Sequence, residues 1–274
     1  MRRQRQFSSC HIDIRIGVGV EEQVLRVACI VVRIVRGDDQ VVRYPVSSLK
    51  FHAFQLLASC IGQKPQVCCH HKIAEIHSIY LPPQVIIEEN VVRLASNEIY
   101  FYGGPPCQLL FLVGDFQSSS NEGHYLLADC YLTIAEELGV KRIYTLGGFG
   151  VGHLVDEPRV LGAVNHGDLK AEAEAAGAVF ENSEPGGGII GAAGLLLGLA
   201  AQRGIEGICL MGETSGYLVD PKSAASLLSV LSVLIGIRTD TTMLEERGAE
   251  MERMIQKMIE SEKGIQEEEL RYIG

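Results

Sequence analysis

The spacing of apolar residues changes several times along the chain, and each spacing predicts a different kind of element. Residues 24–35 are rich in Val and Ile and predict a strand. Residues 72–102 alternate short β-branched runs with breaks at a double proline and at Glu89-Asn90, which predicts a small antiparallel meander with a turn at the second break. The run at 107–115 is continuously apolar and ends in Gly-Asp, as buried parallel strands do.

Beyond residue 120, segments with helical apolar spacing alternate with short apolar runs. Helices are predicted where the spacing is helical and a glycine follows, and strands where a short run is apolar throughout. The predicted helices are 121–139, 168–177, 187–204 and 221–236, and the predicted strands are 141–150, 160–164, 177–180 and 205–213. This alternation predicts an α/β fold with a mostly parallel central sheet and helices on both of its faces. The uncharged stretch at 185–202 is rich in glycine and predicts a buried or interface helix, with no membrane span.

Near the end of the chain the pattern becomes that of an amphipathic helix. We predict an α/β domain over 1–240, of which 1–72 is atypical, an amphipathic helix over 241–263 and a flexible tail over 264–274. The helix can lie back on its own domain or associate with a second copy, and the sequence leaves both open. Its apolar stripe, the candidate interface between copies, contains Leu244, Met251, Ile255 and Met258.

Charge divides the chain into two unequal parts. The 274 residues carry a net charge of −10, which argues against nucleic acid as a partner. Residues 1–72 have a net charge of +6 and the remainder −16. The first quarter therefore differs in composition from the rest of the chain.

Eight cysteines are present, five of them before residue 70. No apolar run of signal-peptide length follows the basic start, so we expect a cytoplasmic protein with reduced thiols. The adjacent residues Cys68–His71 lack the gaps that let ligands converge on one ion, so no metal site is predicted. No cofactor is predicted either.

Polar residues follow the strand at 107–115, where open α/β sheets bind their ligands. His124 is the best general base among them. A glycine cluster at 147–152 follows another strand, but a dinucleotide fingerprint would need a helix directly after it. An enzyme of nucleotide-binding or carboxylate-amine ligase (ATP-grasp-like) type therefore stays an alternative, although no nucleophile or metal set completes its site. The residues of the possible pocket are Asp115, Gln117, His124, Gly148 and Gly150, and Glu122 and His153 could join them.

Four stretches in this order resemble the archaeal proteasome assembly chaperones over about residues 72–274. They are "LPPQVIIEENVVRLASNEIYFY", "LLFLVGDFQSSSNEGHYLLADCYLTIAEELGVKRIYTLGGFG", "ENSEPGGGIIGAAGLLLGLAAQRGIEGICLMGETSGYLVDPKSAASLLSVL" and the closing amphipathic helix. The family usually opens with a strand and a Gly-rich turn, where this chain reads "LLASCIGQKPQVCCHHKIAEI". Local divergence or a shifted reading frame upstream of Lys72 would each explain that departure.

The resemblance implies a three-layer α/β/α sandwich without catalytic residues. It also implies an ATP-independent homo-oligomer that binds 20S proteasome α subunits and assists ring assembly. Some members act through a C-terminal tripeptide, hydrophobic-Tyr-any residue, that enters pockets between α subunits. Here Tyr272 is third from the end instead of penultimate, and Arg271 precedes it. The candidate partner-binding residues are Leu270, Tyr272, Ile273 and Gly274.

Overall fold

The computed structural model describes most of the chain after residue 69 and three strands before it. The described residues are 3–6, 12–16, 27–32, 70–104, 107–180, 188–216, 220–237, 239–242, 244–246, 248–251 and 253. Their strands are β1 (Arg3–Gln6), β2 (Ile12–Ile16), β3 (Val27–Val32), β4 (His70–Ser78), β5 (Val85–Glu88), β6 (Val91–Leu94), β7 (Asn97–Gly104), β8 (Cys107–Gly114), β9 (Val140–Gly150), β10 (Val160–Val164) and β11 (Glu206–Thr214). Their helices are α1 (Asn121–Glu137), α2 (Leu169–Ala175), α3 (Ala192–Gln202) and α4 (Pro221–Ile235). Further helical residues at 242, 244–246, 248–251 and 253 form what we term the carboxyl-terminal helix.

The described strands form one mixed sheet and a separate hairpin. The sheet has the order β1-β2-β4-β7-β8-β3-β9-β11-β10, and β5 pairs with β6 alone. Parallel pairing joins β8, β3, β9 and β11. The other five described pairings in the sheet are antiparallel. The prediction of an α/β fold is confirmed, but the prediction of a mostly parallel sheet is wrong.

Connection length explains the strand directions. Only two residues separate β7 from β8, and so short a connection can join antiparallel neighbours only. Parallel strands need a crossover of a dozen residues or more, usually a helix. Such a crossover exists between β8 and β9, which α1 connects, and α3 leads directly into β11. The basic amino-terminal quarter contributes to the same sheet, since β3 lies between β8 and β9.

The core consists of two large apolar clusters that share the strands of the sheet. Along β8, Leu109 and Phe111 belong to the first cluster, whereas Leu110 belongs to the second. Successive side chains of a strand point to opposite faces, so the clusters lie on opposite sides of the sheet. Helices α2 and α4 contribute to the first cluster, and α1 and α3 contribute to the second.

Local sequence explains where the helices begin and end. Ser120 caps α1 by accepting a hydrogen bond of 3.1 Å from the Gly123 amide. Asp220 caps α4 through the Ser223 amide at 3.0 Å, and a proline follows as the first helical residue. The predicted glycine at the end of α4 is Gly236, which has the left-handed φ of 69° that favours glycine at this position.

Three further predictions can be compared with the structure. The turn at Glu89-Asn90 is confirmed, because both residues have positive φ (48° and 68°) between β5 and β6. The strand predicted at 177–180 is wrong, since Val179 makes only one isolated bridge, to Leu161. Within the described residues, no helix is long and apolar enough to cross a membrane.

Candidate functional site

A small pocket lies at the carboxyl end of β8, between α1 and α3. Its volume is about 50 Å³. Three of the five predicted pocket residues, Asp115, Gln117 and His124, contribute to its wall. They come together because the residues after β8 lead directly into α1, whose first turn carries His124.

Asp115 is fully engaged by protein partners. Its Oδ2 accepts hydrogen bonds from Arg93 Nη1 at 2.7 Å and from the Ser96 amide at 3.0 Å, and its Oδ1 accepts one from Arg93 Nη2 at 3.1 Å. The side chain has no solvent exposure. The hydrogen bond to Asp115 raises the pKa of the Arg93 guanidinium above its ordinary value, so the guanidinium stays charged. This carboxylate therefore fixes the position of Arg93 and is not arranged as a free general base.

Gln117 also has a structural partner. Its Oε1 accepts a hydrogen bond of 3.1 Å from the amide of Ala192, the first residue of α3. The preceding residue, Gly191, provides no side-chain cap, so Gln117 satisfies one of the unpaired amides of that helix end. The hydrogen bond between Gln117 and Ala192, which joins the β8–α1 segment to α3, thus lies in the wall of the pocket.

The sequence analysis missed two polar residues of the pocket, Asn97 and Tyr131. Asn97 is 4% exposed, and its Nδ2 donates a hydrogen bond to the Tyr131 hydroxyl. Burial raises the pKa of Tyr131 well above its ordinary value, so this phenol stays protonated. Asn97 Oδ1 is buried without a hydrogen-bond partner and lies against Gly114, where an added Cβ would be 2.2 Å from it. The sequence did contain a signal for Tyr131. This residue follows His124 by seven residues, or two helical turns, and therefore lies on the same face of α1.

The predicted glycines Gly148 and Gly150 do not contribute to this pocket. Both lie inside β9, where they pair with Gly212 and Thr214 of β11. A Cβ on Gly150 would be 3.4 Å from the Gly216 Cα, so glycine permits a close approach of two backbones here. The residues between β9 and β10 contain no helix, so this glycine cluster lacks the helix amino terminus that a phosphate-binding loop uses.

An ion pair that the sequence analysis did not predict lies near the same edge of the sheet. The carboxylate of Glu213, in β11, accepts hydrogen bonds from the backbone amide of Arg159 at 3.1 Å and from its Nε at 3.0 Å. The side-chain hydrogen bond to Arg159 lowers the pKa of Glu213 below its ordinary value of 4.5. The pair connects β11 to the segment that enters β10.

The carboxyl-terminal helix begins against the domain. Leu244 is 5% exposed and belongs to the first core cluster, together with residues of α4. Gly248 is buried, and an added Cβ would be 3.2 Å from the Lys222 side chain. Met251 is half-buried, whereas Ile255, Met258 and the tail residues Leu270, Tyr272, Ile273 and Gly274 lie outside the described residues. The start of this helix therefore packs on its own domain.

No metal site is apparent in the part of the chain that the structure describes. No group of three or more His, Cys, Asp or Glu residues is close enough there to hold an ion. The side chains of Cys68–His71 lie outside that part.

Comparison with known proteins places this fold in a family. The chain matches the PAC2 family over residues 66–259. It is 38% identical over 213 residues to an uncharacterised protein of Methanocaldococcus jannaschii, an alignment that covers 74% of this chain and 81% of that protein. The structure is similar to PbaB of Pyrococcus furiosus, described as an archaeal proteasome activator, with a TM-score of 0.75 and 31% identity over 90% of this chain and 98% of PbaB.

A second similar structure is PbaA of Pyrococcus furiosus, described as an archaeal homologue of proteasome-assembly chaperone. Its TM-score is 0.66 at 21% identity, over 95% of this chain and 96% of PbaA. The similarity to PbaA concerns the fold alone, whereas the family match covers well over half of the chain, including the pocket and both core clusters. On this evidence the chain belongs to the PAC2 family.

Proposed function

We propose that this protein is a cytoplasmic proteasome assembly chaperone that acts without ATP and binds 20S proteasome α subunits. The observation that carries the proposal is the family match over residues 66–259, together with 31% identity to PbaB over 90% of the chain. The proposal includes a three-layer α/β/α arrangement, which the division of the helices between two core clusters supports.

The polar groups of the pocket argue against the enzyme alternative. Its only carboxylate among the predicted residues is paired with Arg93, and its glutamine caps α3. Asp115 could act as a base only by breaking its pair with Arg93, and the Gln117 amide is not a base. The enzyme alternative predicts heat of binding in calorimetry with ATP or nucleosides that is lost in His124→Ala.

We infer that residues 270–274 dock in pockets between α subunits. Tyr272 and Ile273 can contribute buried apolar area there, and the tyrosine adds a hydroxyl for one hydrogen bond. A single flexible segment loses conformational entropy on docking, so it should bind weakly. Several copies on one oligomer would raise the overall affinity by about 10²–10⁴. Of the predicted stripe, Met251, Ile255 and Met258 are the proposed contact between copies, because Leu244 is buried in the core of its own domain.

Co-elution with purified α subunits tests the proposal. The full chain should co-elute with them, and both Tyr272→Ala and a chain ending at Gly264 should elute separately. Glu267→Ala changes the same segment without removing an apolar group and should behave as the full chain does. Equal binding by the full chain and the shortened chain would exclude docking through the tail, and no binding by either would exclude the function.

A second candidate function is activation of the assembled proteasome, which the similarity to PbaB favours. The two roles differ in when the protein acts. An assembly chaperone should accelerate ring formation from separate α subunits and leave peptide hydrolysis by preassembled 20S particles unchanged. An activator should increase that hydrolysis and leave the rate of ring formation unchanged.

A further inference from the structure

The pocket between α1 and α3 contains two polar groups whose hydrogen bonds are incomplete. Asn97 Oδ1 is buried and has no hydrogen-bond partner among the described residues. The Tyr131 hydroxyl accepts a hydrogen bond from Asn97 Nδ2, and no described residue accepts its own proton. Buried polar groups without a partner are rare in folded proteins, because each loses its hydrogen bonds to water and gains none in return. We term Asn97 and Tyr131 the polar pair.

Both groups of the polar pair belong to the wall of the pocket. The Asn97 carboxamide lies between two other wall residues, with Nδ2 at the Tyr131 hydroxyl and Oδ1 beside Gly114. Glycine leaves room for this oxygen, because a Cβ on Gly114 would be only 2.2 Å from it. Asn97 and Tyr131 are 4% and 9% exposed, so the pocket is the route by which a further partner can reach them.

The rest of the wall offers few additional hydrogen bonds. Asp115 and Gln117 are bound to protein groups as described above, and Ser118 Oγ donates to the Tyr80 carbonyl at 3.1 Å. Buried aliphatic side chains also line the pocket, namely Leu112, Leu127, Ala128, Ala193 and Leu196. The pocket therefore combines the polar pair with a largely apolar wall.

The size of the pocket and the needs of the polar pair define a ligand. A volume of about 50 Å³ holds about three to five water-sized atoms. Asn97 Oδ1 requires a donor and the Tyr131 proton requires an acceptor, so the ligand must offer both. A primary carboxamide carries a donor and an acceptor on one planar group, and its first carbon atom can pack against the aliphatic wall.

Other ligands of this size match the pocket less well. A carboxylate has no donor for Asn97 Oδ1. An ammonium group has no acceptor for the Tyr131 proton, and burying its charge without a counterion is unfavourable. Several water molecules would each need about two to four polar partners, which leucine and alanine side chains do not provide.

We propose that this pocket binds a primary carboxamide, whose N–H donates to Asn97 Oδ1 and whose oxygen accepts from the Tyr131 hydroxyl. The carboxamide belongs either to a free small molecule or to an asparagine or glutamine side chain of a protein partner. The site goes beyond the function proposed above, which uses the carboxyl-terminal tail. Its test needs no α subunits, so the two proposals can fail separately.

Titration of the full chain with three ligands of one shape tests the match to the polar pair. Acetamide, acetone and acetate all have four non-hydrogen atoms and a planar central carbon, but only acetamide offers both a donor and an acceptor. Binding is followed by NMR of leucine methyl groups. Leu127 and Leu196 line the pocket, whereas Leu228 belongs to the first core cluster and serves as the internal control. A ligand of four atoms reaches at best a dissociation constant of about 10⁻⁴ M, so each titration extends to about 100 mM.

Two variants change the polar pair, and a matched control leaves it intact. Asn97→Leu replaces the carboxamide by an apolar group of similar shape, and Tyr131→Phe removes only the hydroxyl. Tyr144→Phe makes the same change at a tyrosine that is 2% exposed and belongs to the first core cluster, on the other side of the sheet. Circular dichroism and the denaturation midpoint of each variant establish that the domain is folded.

The expected result is saturable binding that depends on the polar pair. Acetamide should shift the methyl resonances of Leu127 and Leu196, leave those of Leu228 unchanged, and bind at least about fivefold more tightly than acetone or acetate. Its dissociation constant should rise at least about fivefold in Asn97→Leu and Tyr131→Phe and stay unchanged in Tyr144→Phe. Shifts that do not saturate, equal affinity for acetone and acetamide, or unchanged affinity in a folded Asn97→Leu would each overturn the proposal.

A blocked asparagine, N-acetylasparagine N-methylamide, distinguishes the two sources of the carboxamide. Its side chain carries a primary carboxamide, whereas both of its ends are secondary amides. Binding as tight as that of acetamide, weakened in Tyr131→Phe, would support a side chain of a protein partner. Saturable binding of acetamide without binding of the blocked asparagine would support a free small molecule.

Discussion

Replacing Arg93 by Met should destabilise the domain far more than replacing an arginine of similar exposure whose carboxylate partners are exposed. Asp115 has no side-chain exposure, and Arg93 is its only charged partner among the hydrogen bonds described above. Removing one member of a buried pair leaves an uncompensated charge and costs about 3–5 kcal/mol. Arg93 is 27% exposed, so water can reach the vacated site, and we expect the lower end, about 3 kcal/mol.

The matched comparison is Arg203→Met. Arg203 is also mostly buried and also contacts two carboxylates, of Asp129 and Glu136, but those side chains are 68% and 44% exposed. Water can solvate both carboxylates when the arginine is absent, so this substitution should cost only about 0–1 kcal/mol.

The assay is equilibrium urea denaturation, followed by circular dichroism, with the free energy of unfolding extrapolated to water. In Asp115→Asn the amide keeps an oxygen for the Ser96 amide but loses the charge that faces Arg93, so we expect a loss of about 1.5–3 kcal/mol. The double variant Arg93→Met/Asp115→Asn should be more stable than the sum of the single losses implies, because it contains no unpaired buried carboxylate. An Arg93→Met variant no less stable than Arg203→Met would refute this reasoning and would return Asp115 to the candidates for a free catalytic carboxylate.

Three further predictions concern stability. Gly114→Ala should lower the free energy of unfolding by about 1–3 kcal/mol, because the added Cβ meets Asn97 Oδ1 at 2.2 Å, and thermal denaturation measures this. The lowered pKa of Glu213 contributes stability above about pH 4.5 that is lost as the pH falls below this value. The free energy of unfolding of Glu213→Gln, measured by urea titration, should therefore change less between about pH 5 and pH 3 than that of the wild type. Leu244→Ala should lower the free energy of unfolding by about 2–5 kcal/mol, since this side chain lies in its own domain's core. The denaturation midpoint should fall equally at all protein concentrations. A fall of the midpoint seen only at high concentration would instead indicate a contact between copies.

Most element types were predictable because they depend on local spacing. The helical period of α1 and the glycine that ends α4 depend on residues within a few positions of one another, and both were predicted. The prediction of a short strand at 177–180 was wrong because a brief apolar run does not by itself determine whether a ladder of strand hydrogen bonds forms. The candidate pocket was predictable in part, since Asp115, Gln117 and His124 follow one strand and come together at its end.

What the sequence by itself determined, then, is the alternation of elements, the turn at Glu89-Asn90 and the resemblance to a family. Only the tertiary structure decided that most sheet pairings are antiparallel, because pairing joins residues far apart in the chain and local spacing carries no direction. The tertiary structure also assigned the partners of the polar residues. Asp115 is 22 residues from Arg93, and Asn97 is 34 from Tyr131, so neither contact has a local signature. An aspartate at a strand end looks the same in the sequence whether its carboxylate binds a ligand or an arginine. Its role depends on which group the fold brings to it.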